Sequence, residues 1–124
     1  MADLRQNWPQ SLHAARLVQE LWPERTEHLS TLCKRIPAFF VREGVLVAFT
    51  FALSRDGGPQ YCGLLLDLVR TRMPDLSTSP PALVRELSQC DPERYLLINR
   101  EFAQAAQALR YAADAFPKED KNVG

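Results

Sequence analysis

The chain has 124 residues, the size of one domain, and its 46% apolar and 24% charged residues are ordinary for a globular protein with a real core. Acidic and basic residues number 15 each, so no overall charge draws it to nucleic acid or to an acidic surface, although a local patch still can. The longest apolar run falls well short of the roughly 20 residues a membrane span needs, which excludes a transmembrane helix. Lysine stands only at Lys34, Lys118 and Lys121, so the positive charge is mostly arginine, a residue suited to bidentate phosphate contacts.

Between Trp8 and Trp22 the positions Trp8, Leu12, Ala15, Val18 and Trp22 step by three and four, the spacing of one helix face. Asn7 offers a cap, Pro9 is tolerated in the first turn, and Pro23 ends or kinks the helix. The stepping resumes at Leu29, Leu32, Cys33, Ile36, Phe39 and Phe40. Pro37 sits inside that pattern, which predicts a kink or break near Cys33 to Ile36. Gly44 is well placed just past a helix end.

From Gly44 to Leu53 only Thr50 is polar. Val45, Val47, Phe49 and Phe51 would suit a strand, but the flanking segments read as helices, and a lone strand leaves its backbone groups unpaired. The expectation is a central helix buried on nearly all sides, running to about Arg55. Asp56-Gly57-Gly58-Pro59 then breaks the chain, and Tyr61, Leu64, Leu65, Leu68 and Val69 mark an amphipathic helix closed before Pro74. Met73 to Pro81, rich in proline and hydroxyl residues, reads as an exposed loop. A short helix from about Pro81 to Ser88 buries Leu83 and Leu87. Asp91-Pro92, a cap followed by proline, opens the last helix. Its seam is Tyr95, Ile98, Phe102, Ala105, Leu109, Ala112 and Phe116, packed inside its own domain, and Pro117 ends it. The fold class is all-α: one domain over residues 1–124, a compact bundle of about six helices around the buried central one, frayed near 1–6 and 118–124.

Chemistry-bearing constellations are sparse. His13 and His28 have no carboxylate at ligand spacing, and His28 and Cys33, five apart on a helix, turn away from each other. Asp56-Gly57-Gly58 lacks the lysine and hydroxyl of a phosphate loop, and no zinc, calcium or dinucleotide motif is present. The expectation is a chain that is not an enzyme and holds no metal or cofactor. Cys33, Cys62 and Cys90 form no C-x-x-C pair, and their odd number without a signal peptide points to reduced thiols in the cytoplasm.

The basic residues are more informative. Lys34, Arg35 and Arg42 flank Gly44 near the start of the central helix, where free amides and the helix dipole also favour phosphate, with Glu43 partly cancelling them. On the last helix Arg100, Gln104, Gln107 and Arg110 fall opposite the seam, with Tyr111 on the same outer side. Such a face suits nucleic acid or a protein partner.

Two segments carry a resemblance: Arg35-Ile36-Pro37-Ala38-Phe39-Phe40 leading into Gly44 to Leu53, and Tyr95 to Ala113 with Glu101, Phe102, Leu109, Arg110 and Tyr111. In order, spacing and length the chain resembles the small all-helical Cmr-type subunit of type III-B CRISPR effector complexes, over about Ala15 to Phe116. It departs at Glu43, where many members have asparagine, at Val45, where leucine is usual, and at Phe102-Ala103 after the glutamate. The resemblance implies a non-catalytic role in antiviral defence. Copies would stack head-to-tail beside other Cmr-type subunits and line the groove where target RNA pairs with guide RNA. Lys34, Arg35, Arg42, Arg100 and Arg110 would contact RNA, and Gln104, Gln107 and Tyr111 would meet partners. The rival reading is a helical protein–protein interaction module with no RNA contact.

Overall fold

A computed structural model describes residues 12–14, 16 and 27–115. Every regular element among the described residues is helical: α1 (Glu27–Glu43), α2 (Val45–Leu53), α3 (Gly58–Arg70), α4 (Pro80–Gln89) and α5 (Pro92–Ala115). Residues 12–14 and 16 are helical as well, and Ala14 is fully buried. The rest of the expected Trp8–Trp22 helix, the seam position Phe116 and the frayed ends lie outside the described residues.

The expected break at Pro37 is absent, and α1 runs through it as one helix. A proline inside a helix costs about 3 kcal/mol. Leu32, Ile36 and Phe40, on both sides of it, are buried on one face, and each such burial contributes about 1.5–3 kcal/mol, so packing outweighs the lost hydrogen bond. At Gly44 the chain turns with φ 87°, a left-handed value open to glycine, and α2 begins at once. No local side chain caps the start of α2. Its Leu46 N–H donates to the Tyr95 hydroxyl of α5 at 3.3 Å, so a side chain 49 residues away in sequence does the capping.

As the central element, α2 packs against each of the other four helices. Val45, Ala48, Phe49 and Ala52 are buried, and Phe49 meets Phe102 of α5 edge-to-face with ring centroids 5.4 Å apart. Burial on nearly all sides is not what the structure shows: Val47 is 51% exposed and Thr50 is exposed. The most enclosed helix is α3, where Tyr61, Cys62, Leu64, Leu65, Leu66, Leu68 and Val69 are all buried. Gly58 makes its close approach possible, because a Cβ there would stand 1.8 Å from the Ala52 carbonyl oxygen.

The stretch between α3 and α4 is tied down, not simply exposed. Met73 and Leu76 are buried, Arg70 donates to the Leu76 and Pro74 carbonyls at 3.2 Å each, and Ser77 donates to Glu86 through both hydroxyl (2.7 Å) and amide (3.1 Å). α4 buries Leu83 and Leu87, and Asp91 caps α5 by accepting the Arg94 amide at 2.8 Å. On α5 the seam residues Ile98, Phe102, Ala105, Leu109 and Ala112 are buried and Tyr95 is half-buried.

Candidate nucleic-acid interface

Residues three and four apart share a helix side, so Thr31, Arg35, Phe39 and Arg42 line up along α1. Phe51, in the last turn of α2, and Arg55, in the turn that follows it, have the same spacing. The turn at Gly44 folds α2 back so that the Phe39 and Phe51 rings stack, centroids 4.7 Å apart and planes at 24°. Arginines cap the pair on both sides. The Arg42 guanidinium lies 5.5 Å over the Phe39 ring, and that of Arg55 lies 4.4 Å over Phe51. Each contact spends its ring quadrupole on a charge while leaving the guanidinium hydrogens available.

Beside this column is a cavity of about 350 Å³ lined by Thr31, Arg35, Phe39, Phe51, Arg55 and Asp56, with Leu32 and Ile36 behind. Its two guanidiniums outnumber the single carboxylate. Neither Arg35 nor Asp56 forms an ion pair with a described residue. A second cavity, about 440 Å³ and more open, lies by Ser77, Arg85, Glu86 and Gln89. Its carboxylate is already engaged: Glu86 accepts from Ser77 and pairs with Arg94 at 3.2 Å, while Arg94 also holds Asp75 at 3.0 Å. Burial alone would raise the Glu86 pKa, but the Ser77 hydroxyl and amide and Arg94 together hold it below the usual carboxylate range.

The expected basic cluster is therefore rearranged. Arg35 and Arg42 come together through Phe39. Lys34 is exposed but one residue along, about 100° around the helix from Arg35. At the start of α2 Tyr95 already takes the Leu46 amide, and its hydroxyl stands 3.0 Å from where a Gly44 Cβ would be. On α5, Arg100 and Arg110 are exposed but ten residues apart, about 15 Å along the axis. Tyr111 is 51% exposed and accepts from Gln107 at 3.4 Å; Gln104 and Gln107 are half-buried, and Gln107 Oε1 is sealed from solvent with no hydrogen-bond partner among the described residues.

Sequence reasoning passed over Phe39, Phe51 and Arg55 as a set, having read the rings as core and Arg55 as the end of the central helix. The i, i+4 spacing of Phe51 and Arg55 was the available signal. It also passed over Glu101, only 4% exposed, whose Oε1 lies 3.0 Å from Arg72 Nε as an ion pair without hydrogen-bond alignment. No group of three metal-ligating side chains occurs among the described residues, and no described helix is long and apolar enough to cross a membrane. Comparison of the chain with protein-family models, curated proteins and solved structures finds no match.

Proposed function

We propose that this chain is a non-catalytic, cytoplasmic helical subunit of a Cmr-type CRISPR effector complex, contacting guide or target RNA and stacking head-to-tail with copies of itself. The observation that carries the RNA part is the gathering of Arg35, Arg42 and Arg55 around the stacked Phe39–Phe51 pair at the solvent edge of α1 and α2. Positive groups tracking a backbone beside aromatic rings are how proteins hold single-stranded nucleic acid without reading its sequence. The assignment to a Cmr-type complex comes from the resemblance carried by Arg35 to Leu53 and by Tyr95 to Ala113.

A neutral subunit with a few phosphate contacts binds RNA weakly alone, and stacking copies along one strand multiplies those contacts. The test is target-RNA affinity of the assembled complex at several salt concentrations, with wild-type subunit and with Lys34→Ala, Arg35→Ala and Arg42→Ala combined. Each lost phosphate contact lowers the salt slope by roughly 0.7 for a single-stranded target. Intact assembly with unchanged affinity and slope overturns the reading.

The protein-only alternative has its own observation: Val41 is 80% exposed near the end of α1, and Val47 faces solvent on α2. It requires that Val41→Ser with Val47→Ser abolish assembly while the charge variants leave RNA binding untouched.

A further inference from the structure

We infer that the cavity beside the phenylalanine pair holds one unpaired ribonucleotide, its phosphate on Arg35 and Arg55 and its ribose 2′-hydroxyl on Asp56. Three features converge on this occupant. Arg35 comes from α1 and Arg55 from the turn after α2, yet both line one cavity of about 350 Å³, at the small end of the usual ligand-site range. That volume suits a single nucleotide and excludes a duplex. Arg55 is steadied by Phe51, which is steadied by Phe39, so less freedom is lost when its guanidinium takes up a phosphate.

The third feature is Asp56. A cavity meant for phosphate alone gains nothing from a carboxylate, which repels the anion. An ionised carboxylate only accepts hydrogen bonds, so it must face a donor on the ligand. A ribose hydroxyl next to the phosphate is such a donor, and it is the group that separates RNA from DNA. Arg42 lies over Phe39 and does not line the cavity, so it is not one of this nucleotide's contacts.

The ligand class rests on the proposal that the chain contacts RNA, but the two are tested separately. The full chain is titrated with uridine 3′-monophosphate, with 2′-deoxyuridine 3′-monophosphate and with inorganic phosphate, following the Arg55 side-chain and Phe39 and Phe51 ring signals by NMR. Expected are shifts confined to residues 31–39 and 51–56, with the ribonucleotide bound about three- to tenfold more tightly than its deoxy counterpart and phosphate weakest. Arg55→Ala weakens the ribonucleotide about tenfold, Asp56→Ala removes the ribo preference, and Arg85→Ala, at the other cavity, leaves both within about twofold. Circular dichroism of each variant establishes that the fold persists. No shift at these residues, or equal binding of the two nucleotides, overturns the inference. Either result leaves the salt dependence of the assembled complex as it was, so the two readings fail separately.

Discussion

Helices α2 and α3 are neighbours in sequence with opposite relations between composition and burial. α2 is apolar at every position but Thr50, yet Val47 and Thr50 face solvent and Leu46, Phe51 and Leu53 are half-covered. α3 carries Gln60, Asp67 and Arg70, yet more of its length is enclosed. The difference is one of patterning. In α3 the polar residues fall together on one side, leaving a clean stripe for its neighbours, whereas α2 has no polar stripe to choose its outer face, and contacts from α1, α3, α4 and α5 choose it instead. An apolar helix in a small bundle is thus not the most buried one. Its spare apolar surface is where rings such as Phe51 remain open to a cation and a cavity.

The largest effects separate the two sides of α2. Phe49→Ala is expected to cost about 3–5 kcal/mol in urea unfolding, because the ring is fully buried against Phe102. Leu65→Ala in α3 costs about 2–5 kcal/mol for the same reason. Val47→Ser, one turn or less from Phe49, changes stability by no more than about 0.5 kcal/mol. A Val47→Ser loss rivalling that of Phe49→Ala would erase the distinction between the faces of α2.

Where the two helices meet, the expected effect is somewhat smaller. The Cβ of Gly58→Ala collides with the Ala52 carbonyl, a backbone atom that no rotamer change can move. Overpacking at that seam costs about 3 kcal/mol. Gly63→Ala, where a Cβ meets nothing within 4 Å, is the control: on the same helix it is neutral or gains up to about 1 kcal/mol of helix propensity. Thermal melts of the two variants check the contrast, and equal shifts would mean α3 does not depend on the Gly58 contact.

The same physics decides how much was legible in the sequence. Helix periodicity and the caps around Gly44, Asp56-Gly57 and Asp91 located the described helices to within a few residues, because those signals are local. Whether Pro37 would break α1 was not local: it depended on the burial of Leu32, Ile36 and Phe40 on either side. The side of α2 left in solvent was likewise hidden in contacts with four other helices. At the candidate site Arg35 and Arg42 were visible as charges. Arg55 joined them only because a turn at Gly44 brings Phe51 onto Phe39, a long-range pairing that no spacing rule announces. Glu101 entered the sequence reading only among the residues that carry the resemblance, and its place on the inner side of α5, which buries it against Arg72, was not read from spacing.

The smallest expected effect concerns the connections that leave the two helices. After α2 the chain passes through an exposed turn; after α3 it is fastened to α4 by Glu86, which accepts from Ser77 and pairs with Arg94. The Glu86 pKa is lowered in the folded chain, so folding favours its ionised form. Its contribution is therefore fully present above the ordinary glutamate pKa of about 4.3, and is lost as pH falls through the lower folded value. Glu86→Gln keeps an acceptor for Ser77 but removes the charge facing Arg94. At pH 7 the variant should be less stable than wild type by about 1 kcal/mol, the scale of one such hydrogen bond. That gap should begin to narrow as pH drops below about 4.3 and close once Glu86 is protonated in the folded chain too, where it and glutamine are equally neutral. Asp75 also faces Arg94, so the difference between wild type and variant, not the wild-type curve alone, isolates Glu86. Urea midpoints from pH 7 to pH 3 measure it, and a gap constant across that range would mean the fastening is not electrostatic.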